Sequence, residues 1–447
     1  MWKQFKIVSL SWLCAFALLA LAPVVPPLDA VDTRPTLDPA ITVELQQRRE
    51  WIFAEPAPTV TFDNTFSGAR LNACTQVGPH DYKILITPEN QPINPSPWYA
   101  FRVQAAAPTQ ITLRLVIAMS KSNLRPQHPQ VSNDGVHWSR ARNEDYAGDK
   151  GASECVLKLT VNASPTWVAS HQMVGIEQLR AWTDAMALKP CVTQSVIGYS
   201  TAGRALTMLQ VNCSAPPNYV MVIGRQHPPE VAGSLGLMAF MQQMLGDSDV
   251  AKKFRAAFRV AVVPLVNPDG VHEGQWRSTL GAVDNNRDWH DFSQPESRAV
   301  RDAILQIAKQ PNARIFLLLD FHATNKDIFY LPPDDALTFP PHFAGRWVQA
   351  MQQRFPEHPL DFTGSHNVDQ CTFKRWAYET TGAPGITYEI GGETPNEWIE
   401  KIASAAADEA MTLLLESADA PRSDGPFPSV KKVDAAIKVK PQSQQSR

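Results

Sequence analysis

Two histidines and two glutamates carry the chemistry that this sequence holds most openly. His227-Pro228-Pro229-Glu230 follows directly on the apolar run Tyr219–Gly224. A His and a Glu three positions apart on a tight turn can point at one metal ion. A catalytic zinc usually takes three protein ligands and keeps one position open for water. His322 is the third candidate, in Leu317-Leu318-Leu319-Asp320-Phe321-His322-Ala323, again just past an apolar run. The set His, Glu, His suits a hydrolytic zinc. Such a site needs a base. Glu389 stands among apolar neighbours in Ile386-Thr387-Tyr388-Glu389-Ile390, where a carboxylate is costly unless it is paired or used. Beside a zinc-activated water it is placed to accept a proton. Cations complete the set. Arg277 and the pair Asn286-Arg287 lie in the Gly- and Asn-rich loop 274–289, after Asn267-Pro268-Asp269-Gly270. Arginine forks bind carboxylates with two parallel hydrogen bonds. One Arg can clamp a substrate's terminal carboxylate while another polarises the scissile carbonyl.

The elements that must position these residues are strands and helices in alternation. Buried strands are expected at Tyr219–Gly224, Phe258–Val266, Ile315–Leu319 and Ile386–Ile390, and helices at Val231–Leu245, Pro295–Lys309 and Asn396–Glu416. This alternation predicts an α/β catalytic domain over 175–417, with a mixed, largely parallel central sheet flanked by helices. Open sheets of this kind place their sites at the carboxyl ends of strands, where His227 and His322 stand. Ahead of it, 45–170 reads as a smaller all-β sandwich domain. Its β-rich runs at Thr59–Phe62, Tyr82–Ile86, Trp98–Val103 and Ile111–Ile117 are separated by Pro, Asn, Gly and Asp, and short strands at regular spacing predict a sandwich. That part has no cluster of His and acids at ligand spacing.

Composition narrows the function classes. Of 447 residues, 44% are hydrophobic and 19% charged, enough apolar material for packed cores and too much for a disordered chain. The net charge of -3 gives no positive field for nucleic acid. The only apolar run near the length of a membrane span lies at the N-terminus, which excludes a polytopic membrane protein. There, Lys3 and Lys6 precede an apolar stretch from Ile7 to about Leu21 and a Pro-rich stretch reaching Ala30. That layout makes 1–30 a signal peptide and the protein exported, periplasmic or secreted, with no stable membrane span after its removal; a retained anchor helix is the rival reading. Residues 31–44 read as a linker, and 418–447, rich in Pro, Ser, Gln and Lys, as a disordered tail. Cys191 and Cys213 are symmetric about Ala202 in the turn Ser200-Thr201-Ala202-Gly203. A hairpin there would set them opposite each other, within disulfide reach; two thiols are the alternative.

Taken in order, His227-Pro228-Pro229-Glu230, Asn267-Pro268-Asp269-Gly270, Arg277, Asn286-Arg287, His322 and Glu389 resemble the zinc carboxypeptidase superfamily. Gly198-Tyr199-Ser200-Thr201-Ala202-Gly203-Arg204 is similar to the hairpin that opens its catalytic domain. The stretches 60–71, 98–103 and 124–141 are similar to the module preceding that domain in the cytosolic carboxypeptidase branch. The resemblance spans roughly 58–415. It implies that His227, Glu230 and His322 ligate one zinc ion per chain, that Glu389 is general base and then general acid, that Arg277 stabilises the oxyanion, and that Asn286 and Arg287 hold the C-terminal carboxylate. Asn285 stands where the family expects Leu or a similar residue. The family's pocket Tyr, about twenty residues before the base, has no counterpart near Asn367. Trp376 matches a Trp of pancreatic-type members. Two positions earlier, where those enzymes carry the side chain at the floor of the specificity pocket, this chain has Lys374, which in the pocket would favour an acidic terminal residue; pointing outward, it would meet solvent. The function implied is an exported zinc metallocarboxypeptidase that hydrolyses the C-terminal peptide or isopeptide bond of a peptide with a free carboxylate. A cell-wall peptide amidase, an N-acyl amino acid deacylase and a non-catalytic zinc-binding protein on the same fold stay open beside it.

Overall fold

The structure is a computed structural model that describes residues 41–118, 128–148, 154–358 and 360–419. The leader 1–30, most of the 31–44 linker and nearly all of the 418–447 tail lie outside the described residues.

The first part is built from strands β1 (Glu50–Phe53), β2 (Val60–Asp63), β3 (Ala73–Gly78), β4 (Asp81–Ile86), β5 (Ala100–Ala105), β6 (Thr109–Ile117), β7 (Gln130–Ser132), β8 (Ser139–Arg140), β9 (Tyr146–Ala147), β10 (Glu154–Val161) and β11 (Thr166–Ala169). They form two sheets, ordered β1-β2-β5-β11-β7-β8 and β3-β4-β6-β10-β9. In β6 every second residue is buried, the period-two pattern of a strand with one face on a core. Phe62 and Phe101 of one sheet share that core with Tyr82, Leu113, Leu115 and Leu157 of the other, and the Phe62 and Tyr82 rings meet edge-on at 4.9 Å.

The second part holds an eight-stranded sheet ordered β12 (Val192–Tyr199), β13 (Ala205–Val211), β15 (Phe258–Val263), β14 (Asn218–Gly224), β16 (Arg314–Thr324), β19 (Gly385–Gly391), β17 (Ile328–Tyr330), β18 (Asp361–Thr363). The run β15-β14-β16-β19 is parallel. Every residue of β14 is buried, because helices cover both faces of these strands, so its sequence is apolar without alternation. The helices are α1 (Ile176–Ala187), α2 (Val231–Met244), α3 (Asp249–Ala257), α4 (Pro268–Glu273), α5 (Pro295–Ala308), α6 (Phe343–Arg354), α7 (Phe373–Thr381) and α8 (Asn396–Ser417). Helices α2, α6 and α8 pack one face of the sheet around Phe240, Phe321 and Trp347. Helices α5 and α7 pack the other around Trp289, Ile304 and Phe373.

Two glycines set approaches that matter for the site. A Cβ on Gly233 would stand 2.6 Å from the His322 carbonyl oxygen, so its absence lets α2 lie directly on the ligand strand β16. Gly274 ends α4 at φ 63°, in the left-handed region, with a would-be Cβ 2.5 Å from the Ala69 carbonyl of the β-sandwich. The two parts are joined by buried groups. The fully buried Trp276 donates its Nε1–H to the Trp98 carbonyl at 3.0 Å.

The hairpin brings Cys191 and Cys213 into side-chain contact, though not as directly opposed residues. A bulge between Val196 and Gly198 shifts the β12–β13 ladder so that Val192 faces Val211. Cys191 then lies across from Asn212, whose N–H donates to the Cys191 carbonyl at 2.9 Å, and Cys213 falls one residue beyond. Both are exposed thiols.

Candidate active site

His227 lies on the tight turn after β14, Glu230 immediately before α2, and His322 near the end of β16. All three are buried. Their donor atoms lie within 4.8 Å of one another. Glu230 sits between the two rings, with Oε1 2.7 Å from His227 Nδ1 and Oε2 2.7 Å from His322 Nδ1. The two Nδ1 atoms are 3.1 Å apart. Each outer ring nitrogen meets a second carboxylate: His227 Nε2 is 2.9 Å from Asp284 Oδ1, and His322 Nε2 is 2.7 Å from Asp320 Oδ2. An Nε2–H directed at each of these acids leaves both Nδ1 lone pairs facing the Glu230 carboxylate, an arrangement that a divalent cation relieves. Two imidazoles and one carboxylate, each oriented from behind, fit zinc. Burial works against the Glu230 charge, yet His227 and His322 hold its pKa below the usual carboxylate range. Asp284 is held low in the same way, His227 and Arg277 outweighing its burial.

Glu389 is placed by topology. Strands β16 and β19 are parallel neighbours, and their register sets His322 directly beside Glu389. The Glu389 Oε2 atom has no hydrogen-bond partner among the described residues. Burial pushes its carboxyl up to about 8, with Glu230 adding to the rise and His322 and Arg277 opposing it. Arg277 donates from Nε to Asp284 Oδ2 at 2.8 Å, and its Nη1 lies 3.8 Å from Glu230 Oε1. Burial disfavours its charge, and Asp284 and Glu230 more than restore it. Asn286 is positioned by α7, its Oδ1 accepting from Phe373 N at 2.9 Å, and Arg287 follows it on the same short turn.

Seven of the eight residues singled out from the sequence (His227, Glu230, Arg277, Asn286, Arg287, Lys374 and Glu389) line one cavity of about 1270 Å³; the eighth, His322, is 1% exposed and stands against Glu230, its Nδ1 2.7 Å from Glu230 Oε2. Lys374 is in the first turn of α7 and does not meet solvent. It is 3% exposed, and its Nζ donates to the carbonyls of Leu331 at 2.8 Å and His366 at 3.1 Å. Burial lowers its pKa to about 8. Several participants were not singled out beforehand. Asp320 was legible in principle: it lies two residues before His322, hence on the same strand face, and is an acid inside an apolar run. Asp284 lies in the same loop as Asn286. Tyr330, a phenol on the cavity wall whose ring stacks on His366 at 3.8 Å, carries no local signal.

One residue of the loop is at odds with its surroundings. Asn285 is fully buried, and neither its Oδ1 nor its Nδ2 has a partner among the described residues. An unsatisfied buried amide costs about 1–3 kcal/mol. Asn285→Leu, similar in volume, is therefore expected to raise the unfolding midpoint in urea. A lower midpoint would show that the amide is bonded and needed.

Comparison with known proteins agrees with this geometry. The zinc carboxypeptidase family model matches residues 179–407, just over half of the chain. Cytosolic carboxypeptidase 6 of Caenorhabditis elegans is 21% identical over 285 residues, covering 59% of this chain and 62% of that protein. Cytosolic carboxypeptidase 2 of Danio rerio is 22% identical over 306 residues, covering 61% and 42%. The chain thus spans less than two thirds of the length of these curated relatives. Among solved structures, a metallo-carboxypeptidase from Burkholderia cenocepacia superposes with a TM-score of 0.66 at 19% identity, covering 80% of this chain and 99% of that one. A metallo-carboxypeptidase from Pseudomonas aeruginosa, in complex with (2-guanidinoethylmercapto)succinic acid, gives 0.64 at 18% identity, covering 80% and 99%. These structures share the fold, while the family match falls on the part that carries His227, Glu230 and His322, and it is on that match that the chain belongs to the zinc carboxypeptidase family.

Proposed function

We propose that the protein removes the C-terminal residue from peptides by hydrolysis, prefers an acidic terminal residue, and acts after export. The observation that supports hydrolysis best is the placement of Glu389 beside His322, with an unpartnered carboxylate oxygen in the cavity that also holds Arg277, Asn286 and Arg287. When bound by His227, Glu230 and His322, zinc supplies a Lewis acid that polarises a carbonyl and makes water a stronger acid. The chain's own groups do the rest. Arg287 and Asn286 hold the terminal carboxylate and so fix which bond is presented. Arg277, charged and anchored on Asp284, faces the oxygen on which negative charge develops. Glu389 takes the proton of the attacking water and returns it to the departing amine.

The test is metal content together with a panel of small peptides ending in Glu, Asp, Lys, Phe and diaminopimelate, with a C-terminally amidated control. One zinc per chain and loss of a single residue from free-carboxylate peptides alone is the expected result. Zinc without cleavage would move the reading to a deacylase or a binding protein, and cleavage of the amidated control would remove the role of Arg287.

The acidic preference rests on Lys374. Two of its protons are spent on the Leu331 and His366 carbonyls, and one remains for the cavity. Its pKa of about 8 means that it is charged below that pH and neutral above it. The preference for Glu over Phe is therefore expected to fall as pH rises through about 8, and to drop roughly 10–100-fold in Lys374→Ala, the worth of one charge-assisted hydrogen bond. An unchanged ranking in that variant removes the argument. Export is supported by the apolar leader alone, while the relatives matched are named cytosolic. A mature N-terminus near residue 31 in an extracytoplasmic fraction supports it, and an intact Met1 in the cytoplasm refutes it.

A further inference from the structure

The cavity exceeds what a terminal residue occupies. Its volume of about 1270 Å³ lies above the ordinary range of small-ligand sites. Among the groups argued to hold the terminus, Arg287 and Lys374 share one stretch of wall with His366, whose carbonyl accepts from Lys374, and with Tyr330, which stacks on His366. A second stretch of wall comes from the β-sandwich, through Trp138, Arg140, Ser170 and His171. It is fastened to the segment that follows β19, a few residues beyond Glu389. Arg140 pairs with Glu393 at 3.2 Å. Gln172 and Asn396 exchange amide hydrogen bonds at 3.1 and 2.8 Å. A Cβ on Gly392 would stand 3.4 Å from His171 Cε1.

This wall offers hydrogen bonds that the protein does not use itself. Ser170 is 1% exposed, and its Oγ has no partner among the described residues. A buried hydroxyl without a partner is costly, and it lies on the cavity wall. Burial drives the His171 imidazole down to about 4, so it is neutral and presents one donor and one acceptor. The Arg140–Glu393 pair is half-exposed on both sides, worth little alone and easily opened to another acceptor.

Resting on the carboxypeptidase reading, we infer that the β-sandwich wall is a binding subsite for the residues upstream of the scissile bond, so that the substrate is an extended polypeptide read along its backbone by Ser170, His171 and Arg140. A chain whose last residue lies by Arg287 and Lys374, with its scissile bond between Glu389 and the metal ligands, has this wall available for its preceding residues. The sandwich is then part of the substrate site and sets how long a substrate must be.

The test is kcat/KM for an N-acylated dipeptide, a tripeptide and a pentapeptide that share the same last two residues. The pentapeptide is expected to exceed the dipeptide by about tenfold or more, as two or three added hydrogen bonds provide. Ser170→Ala and Arg140→Ala are expected to lower that ratio several-fold, chiefly through KM of the longer peptide. Ser170→Ala deletes only a buried oxygen and Arg140 is exposed, so both variants are expected to fold, which a circular dichroism melt checks. Equal kcat/KM at all lengths, or variants that weaken short and long peptides by one factor, would overturn the subsite. Absence of cleavage at every length would overturn the carboxypeptidase reading, and this subsite with it.

Discussion

Glu389→Gln is expected to give a folded, zinc-loaded protein that does not turn over. Glutamine matches the shape of glutamate, and Glu389 Oε2 has no hydrogen-bond partner among the described residues to lose. The ligands His227, Glu230 and His322 are untouched, so zinc content measured by mass spectrometry should match wild type. What is lost is the ability to accept a proton. General-base catalysis contributes about 10²–10⁴-fold, so kcat should fall by at least that factor with little change in KM. Near-normal turnover would sink the assignment of the base. Stability moves the opposite way. In the metal-free protein burial raises the folded-state pKa to about 8, above the ordinary value of an unfolded Glu. The folded state then binds the extra proton, and wild type loses stability as pH rises from the unfolded value to about 8. Gln carries no charge to bury. The melting temperature of apo Glu389→Gln should therefore exceed that of apo wild type by a margin that widens between pH 5 and pH 8. A constant margin would mean that Glu389 is not the group that titrates.

The candidate zinc ligands were legible because His227 and His322 stand just past apolar runs, where a polar residue must face either a strand's end or a costly interior, and Glu230 follows His227 at a spacing of three. The strands themselves were legible for the same reason, since the runs Tyr219–Ile223 of β14 and Ile315–Leu319 of β16 are buried on both faces and apolar without alternation. What no local pattern holds is which strands are neighbours. The juxtaposition of His322 with Glu389 comes from the β16–β19 register, and those strands are separated in the chain by β17, β18, α6 and α7. The offset between Cys191 and Cys213 has a related origin. Symmetry about Ala202 assumes an unbroken ladder, and one bulge at Val196/Gly198 moves Cys191 opposite Asn212. Lys374 needed the fold as well, because a lysine in the first turn of an amphipathic helix has no sequence mark that separates a buried amine from a solvated one.

The clearest case of a residue invisible in sequence is Glu89, and Glu89→Ala is expected to be among the most damaging substitutions outside the cavity. Glu89 belongs to the β-sandwich part and is 1% exposed. Its carboxylate accepts from three consecutive backbone N–H groups of the loop 274–289: Trp276 at 2.8 Å, Arg277 at 2.9 Å and Ser278 at 2.8 Å. Nothing near Glu89 in the chain hints at partners 187 to 189 residues away. Alanine would leave these buried donors without an acceptor, at about 1–3 kcal/mol each when no water replaces it. The melting temperature should fall sharply, with Glu89→Gln intermediate because its amide keeps one acceptor oxygen. Activity should fall further than stability alone explains. The backbone of Arg277 hangs on this carboxylate, and an oxyanion donor displaced from its place costs about 10²–10³ in kcat. A double-mutant cycle separates positioning from general loosening. In an Arg277→Ala background, Glu89→Ala should still lower the melting temperature but have little left to remove from kcat. If it lowers kcat by the same factor in both backgrounds, Glu89 does not act through Arg277, and its three hydrogen bonds serve only to fasten the loop to the sandwich.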